Sequence, residues 1–273
     1  MPEGDTIYRV AASMRAHAAG RTVQRFVDRH GEFAPALFEG ADLDTVQARG
    51  KHLVMGFSNG RAVHSHMGMT GAWHVYRSGT PWQKPERRCR FAFALGPVEL
   101  VLFSPKLVEV VRSADLERHG LIARLGPDLL APAPDLDLAR RRLESHGRVP
   151  LGVALMNQQL VAGIGNVYKS ELMFIERVDP FAPVAGYDGA TILRLLERAR
   201  ALMRRNLDGT PRRTRYTTRG PRLWVYNRHR QPCFLCGEPI VMTRQGEAAR
   251  STYYCAPCQG ITGTDARRSA GHG

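Results

Sequence analysis

At 273 residues with an apolar fraction of 43%, the chain can build two compact domains or one large one, each with a real core. No apolar run approaches the ~18 residues of a membrane span, and the start Met-Pro-Glu-Gly-Asp lacks the basic and apolar stretches of a secretory signal, so a cytoplasmic protein is expected. A formal net charge of +14 argues for a polyanion as partner, most simply nucleic acid.

Residues 5–19 carry Ile7, Val10, Ala11, Met14 and Ala18 on a 3.6-residue period, with Gly20 as a stop, which predicts an amphipathic helix. From about 21 to 125 the texture is strand and turn. Short apolar runs at His52–Phe57, Ala62–His66, Ala72–Tyr76, Arg90–Leu95 and Val98–Phe103 are separated by Gly, Asn and Pro, which predicts a β-sandwich or barrel. Gly126-Pro127 and Ala131-Pro-Ala-Pro134 read as a linker. Helices are expected at Leu136–Ser145, Gly152–Leu160, Val167–Phe174 and Thr191–Asn206, with a glycine turn, Ala162-Gly-Ile-Gly165, between the middle two. Residues 211–230 are basic and aromatic, including Arg215, Tyr216, Trp224 and Arg228.

The C-terminal region holds Cys233, Cys236, Cys255 and Cys258, a Cys-x2-Cys-x18-Cys-x2-Cys spacing. Four thiolates satisfy tetrahedral zinc, so one structural Zn2+ is expected, with no open position for metal catalysis. Redox pairs would call for a βαβ context that this region lacks. The intervening stretch can form a hairpin, Pro239–Arg244 against Arg250–Tyr254. That hairpin would present Arg250 rigidly to a phosphate, although an ordinary surface arginine has the same spacing. The Gly-x-Gly-Asn turn opens a helix at Asn166, where backbone N–H groups and the Asn side chain could grip a phosphate; a plain helical-hairpin turn is the alternative. Loss of Met1 would expose the secondary amine of Pro2, which can attack an aldehyde-like sugar carbon, with Glu3 beside it as acid or base. His64 and His66 share one strand face and read as packing residues rather than metal ligands.

Four separated motifs carry a resemblance: Met-Pro-Glu-Gly-Asp-Thr at the start, Arg-Gly-Lys at 49–51, Ala-Gly-Ile-Gly-Asn-Val-Tyr at 162–168, and Arg250-Ser-Thr-Tyr-Tyr-Cys-Ala-Pro-Cys-Gln259. In this order they resemble the formamidopyrimidine-DNA glycosylase / endonuclease VIII family, and the Pro-Glu-Gly start is similar to its endonuclease VIII branch. The resemblance implies an α+β, multidomain fold. A catalytic N-terminal β-sandwich flanked by helices would occupy 1–125 and a linker 126–137. A helix-two-turn-helix domain would occupy 138–220, a β-hairpin zinc finger 221–262 and a flexible tail 263–273. It implies a monomer that binds damaged DNA in a cleft and flips the lesion out of the stack.

The resemblance also implies roles. Pro2 would be the Schiff-base nucleophile, Glu3 the general acid, and Lys51 the group that supports elimination and holds a phosphate. Lys51 is one of only four lysines, with Lys84, Lys106 and Lys169, among 39 basic residues. A lysine can move a proton where arginine cannot. Arg124, Asn166 and Arg250 would contact phosphates, with Arg250 also assisting a second elimination, and Met69 would fill the space left by the flipped base. Two departures stand out. Thr6 occupies a place where the family often has Glu. Pro105-Lys106-Leu107 occupies the second void-filling loop, which in the formamidopyrimidine branch carries Arg and Phe, so oxidised pyrimidines are expected ahead of 8-oxoguanine. Two rival expectations are a zinc-finger module that binds damaged DNA without cutting it, and a lyase with weak glycosylase activity.

Overall fold

The computed structural model describes residues 2–208 and 211–261. The tail expected at 263–273 lies outside the described residues. The chain divides into two compact units, 1–124 and 125–273.

The first unit opens with α1 (Gly4–Ala18), whose Ile7, Ala11, Met14 and Ala18 form the predicted apolar stripe and are buried. Eight strands follow: β1 (Arg25–Asp28), β2 (Leu43–Arg49), β3 (His52–Phe57), β4 (Arg61–His66), β5 (Ala72–Arg77), β6 (Cys89–Leu95), β7 (Val98–Phe103) and β8 (Leu107–Arg112). They form two four-stranded antiparallel sheets, β1-β6-β7-β5 and β2-β3-β4-β8. The sandwich core joins Leu53, Met55, Phe57 and Val63 of one sheet to Phe26, Phe91, Phe93 and Leu102 of the other, with the α1 stripe packed into it. The period of two then turns His52, His64 and His66 to the opposite face of their sheet.

The runs at 52–57, 62–66, 72–76, 90–95 and 98–103 are strands as expected, within a residue at each end. β1, β2 and β8 were not foreseen. A short 3-10 helix, Ser113–Arg118, and α2 (Gly120–Ala123) close the unit.

In the second unit, α3 (Leu136–Glu144), α4 (Leu151–Ala154), α5 (Asn166–Ile175) and α6 (Gly189–Arg205) lead to the hairpin β9 (Val241–Gln245) and β10 (Arg250–Tyr254). The helix expected over Gly152–Leu160 is cut short at Ala154. The Asn157 side chain accepts from the Gln159 N–H at 3.0 Å, and this local turn competes with the helix. The glycine turn follows the expectation: Gly163 sits at φ +105° and α5 begins at Asn166. The finger strand starts two residues later than expected, at Val241. The linker stretch is packed, with Leu129 fully buried and the Gly126 N–H bonded to Gln158 O at 2.8 Å.

Among the described residues, no helix is long and apolar enough to cross a membrane.

Candidate active site and metal centre

Pro2 and Glu3 precede α1. Glu3 is its N-cap and is fully buried. Its carbonyl receives the Thr6 and Ile7 N–H groups at 2.9 and 3.2 Å. Thr6 answers inside the same turn, its Oγ1 accepting from the Glu3 N–H at 3.5 Å and donating to Asp5 Oδ1 at 3.3 Å. Thr6 is therefore used in capping the helix.

Two bonds fix the direction of α1 against β2. The Gly20 N–H donates to Leu43 O at 2.8 Å, and Arg15 donates to Val46 O at 2.7 Å. As the helix is followed backwards from residue 20 to 15, β2 advances from 43 to 46, so the two run antiparallel. Twelve more residues back, about 18 Å along the helix, comes Glu3. Four residues on, about 13 Å along the strand, comes the β2–β3 turn with Gly50 and Lys51. The Pro2-Glu3 start and the Lys51 turn thus lie toward the same end of the unit.

Strand register brings two loops to that end as well. His52 pairs with His66 and His66 with Leu107, so the Met67–Thr70 and Ser104–Lys106 loops flank the start of β3. Met69 is 66% exposed there. The Lys106 N–H donates to His66 O at 3.0 Å, and its side chain lies where a Cβ on Gly68 would meet it at 2.8 Å. Gly68, at φ +65°, is thus required twice, by conformation and by space. The charge of Lys51 acts on the imidazoles beneath. Burial holds His52 down at about 3, with His66, His64, Lys51 and His119 adding to the shift. Burial followed by Lys51 and Lys106 holds His66 at about 4. These rings stay neutral beside the ammonium. Arg124, exposed, follows α2 at the end of the unit.

In the second unit, α5 is buried from Asn166 to Phe174. Asn166 is 3% exposed and donates from Nδ2 to Ser251 Oγ at 2.9 Å. Arg250 begins β10, next to that serine. The four cysteines converge: Cys236 Sγ lies 3.4 Å from Cys255 Sγ, and Cys233 Sγ 3.8 Å from Cys258 Sγ. Disulfides would need about 2.05 Å. Tetrahedral zinc with Zn–S bonds of about 2.3 Å separates its sulfurs by about 3.8 Å. The four thiols therefore fit one ion, and the Leu235 N–H donates to Cys233 Sγ at 3.4 Å as an outer-shell bond.

Comparison with known proteins decides the family. A model of the formamidopyrimidine-DNA glycosylase N-terminal domain matches residues 1–108, and one of the helix-two-turn-helix domain of the same glycosylase matches 125–216. The chain is 36% identical over 262 residues to "Probable endonuclease 8 2" of Streptomyces coelicolor, covering 95% of this chain and 94% of that protein. The chain belongs to the formamidopyrimidine-DNA glycosylase / endonuclease VIII family. Other relatives in this family of DNA-repair glycosylases and lyases include "DNA-(apurinic or apyrimidinic site) lyase Nei2" of Mycolicibacterium smegmatis, 36% identical over 95% of this chain and 99% of that one. The MutM (Fpg) protein of Thermus thermophilus superposes with a TM-score of 0.78 at 28% identity, covering 96% of this chain and all of that one. The Lactococcus lactis Fpg bound to abasic-site DNA has a TM-score of 0.80 at 18% identity, covering 94% and 99% of the two chains, a likeness of fold.

Sequence reasoning passed over two charged residues of this family member. Lys169 is 1% exposed, donating from Nζ to Thr252 Oγ1 at 2.6 Å and to Ser251 O at 3.3 Å. It ties α5 to the finger strand. Glu171, fully buried, accepts from Thr214 Oγ1 and from the backbone N–H groups of Trp224, Val225 and Tyr226. Burial pushes its carboxyl above the usual range, and these donors oppose the shift. The only sequence signal was a pair of charges two residues apart inside an otherwise buried helix.

Proposed function

We propose that the chain is a bifunctional DNA glycosylase and abasic-site lyase of base excision repair that removes oxidised bases, pyrimidines ahead of formamidopyrimidines, and cuts the strand by successive β- and δ-elimination. The observation that carries the reading is the antiparallel placement of α1 and β2. It brings a Pro-Glu start to the end of the unit that also holds Lys51, the amine, acid and proton carrier the chemistry requires.

After loss of Met1, the Pro2 amine attacks C1′ of the flipped nucleotide while Glu3 assists departure of the base and opening of the sugar. The iminium so formed acidifies the C2′ hydrogens. Proton removal, supported by Lys51, expels the 3′ phosphate; a second elimination, assisted by Arg250, expels the 5′ phosphate. Arg124, Asn166 and Arg250 hold flanking phosphates, and Met69 enters the space of the extruded base. The Pro105-Lys106-Leu107 loop, which packs onto Gly68, supports a pyrimidine preference because it lacks the Arg and Phe of the 8-oxoguanine-directed branch. The finger holds one structural Zn2+ through Cys233, Cys236, Cys255 and Cys258, keeping β10 in place for damaged DNA.

The deciding experiment is borohydride trapping of the full chain on duplexes carrying dihydrouracil, thymine glycol, 8-oxoguanine or an abasic site. A covalent adduct on the pyrimidine lesions and the abasic site is expected, with less on 8-oxoguanine. No adduct on any duplex, with DNA binding intact, would make the chain a damage-binding module. An adduct on the abasic site alone would make it a lyase without base excision.

A further inference from the structure

The outward face of the second sheet in the first unit carries an arrangement that the repair chemistry does not use. His64 and Glu109 are direct cross-strand partners on β4 and β8, so their side chains project on the same side. His119, just beyond the 3-10 helix Ser113–Arg118, comes down on them from above. His64 Nδ1 and His119 Nε2 each lie 3.1 Å from the same oxygen, Glu109 Oε2, and all three donor atoms fall within 4.8 Å of one another.

From these distances we propose that His64 Nδ1, Glu109 Oε2 and His119 Nε2 form a second metal site, for one divalent ion of the zinc class.

Three observations support it. First, zinc bonds of about 2.0–2.1 Å to nitrogen and oxygen place tetrahedral ligands about 3.3 Å apart, close to the two 3.1 Å distances to Glu109 Oε2, and the two imidazole nitrogens lie within 4.8 Å of one another. Second, the far side of His64 is organised as a ligand's is. Its Nε2 lies 2.8 Å from His52 Nδ1, and in the tautomer that donates Nε2–H to that ring the Nδ1 lone pair faces Glu109 as a ligand's would. Third, packing alone does not explain the residue types. Four imidazoles, those of His52, His64, His66 and His119, meet on this face, with ring centroids 4.8–5.2 Å apart. Leucine or phenylalanine would fill the same space without buried polar atoms to satisfy. On this proposal His64 is a ligand and not a packing residue, with His52 bonded to its far nitrogen.

The ion would tie β4 and β8 to the segment 113–123, which leads directly to Arg124. A fourth coordination position would be left to water. The donor set of two imidazoles and a carboxylate differs from the four thiolates of the finger, and that difference allows a clean test.

Full-length protein with its finger loaded with zinc is titrated with Co2+. The wild type should bind one further equivalent that survives gel filtration and gives weak visible bands without sulfur-to-cobalt charge transfer. His119→Ala and Glu109→Gln should lose that equivalent while keeping the finger zinc; both residues are part-exposed, so the sheet should still fold. Hydrogen exchange over 113–124 should slow on cobalt binding in the wild type and stay unchanged in both variants. If the wild type takes up no second equivalent, or if both variants keep it, the cluster is a hydrogen-bond network and the site does not exist. Both outcomes are independent of strand cleavage.

Discussion

The carboxylate of Glu171, buried in the middle of α5, accepts a 2.8 Å hydrogen bond from the backbone N–H of Val225. With the bonds from Trp224 and Tyr226 at 2.7 Å each, one side chain fixes three successive residues of the basic, aromatic segment that runs into the finger. Glu171→Ala strands three backbone N–H donors, that of Val225 buried and those of Trp224 and Tyr226 part-buried, and should destabilise the second unit by about 3 kcal/mol. Glu171→Gln should cost less, because one oxygen still accepts. Native-state hydrogen exchange of the Trp224, Val225 and Tyr226 amides is the direct measurement. Unchanged protection in Glu171→Ala would mean that the segment is held by something else.

Glu3→Gln should separate the two chemical stages. Base excision from dihydrouracil duplexes should fall by about 10²–10⁴-fold, as expected for loss of a general acid. Cleavage at preformed abasic sites should persist, because the base has already gone. Single-turnover rates on matched duplexes check this, and wild-type excision by the variant would remove Glu3 from its role.

Cys236→Ser should release one metal equivalent and weaken DNA binding while the sandwich unit remains folded, since metal binding and finger folding are coupled. Metal analysis combined with circular dichroism reads both effects. A native wild-type finger free of zinc would refute the assignment.

Affinity for undamaged duplex should drop steeply with salt, because each neutralised phosphate releases counterions. Arg250→Ala should weaken binding across sequences and lower the salt slope by about 1. A flat salt response in the wild type would remove the electrostatic basis of the DNA reading.

Much of this was legible in the residues, and the gaps have physical causes. β3 and β7 were readable because they are apolar runs bounded by turn formers. β2 was not: a bulge between Leu43 and Thr45 breaks its period of two, and its neighbours are Asp44, Gln47 and Arg49. β1 spans only four residues, too few for any period to show. β8 was hidden because its apolar run, Leu107-Val-Glu-Val-Val111, is broken by Glu109 and starts inside the Pro105-Lys106-Leu107 loop, and with it went Glu109, the carboxylate that gives His64 a partner. The cysteine ligands were plain because their spacing is local. Lys169 and Glu171 were opaque because their partners lie 83 and 43–55 residues away, and nothing local announces such a bond.

The antiparallel docking of α1 on β2 makes the helix a ruler. It is clamped at Arg15, near its C-terminus, and at Gly20, just past its end, so the position of the first residues depends on how many residues lie between clamp and terminus. Removing one residue within that span would draw the start back by about 1.5 Å and swing it about 100° around the helix axis. The Pro2-Glu3 start would then change its height and direction relative to the Lys51 turn although no side chain there had changed. Insertions after Gly20, in the loop residues 29–42, leave that spacing intact. In the stretch from Glu3 to Arg15, the number of residues is therefore under tighter constraint than their identity, and a one-residue deletion there should be more damaging than most substitutions.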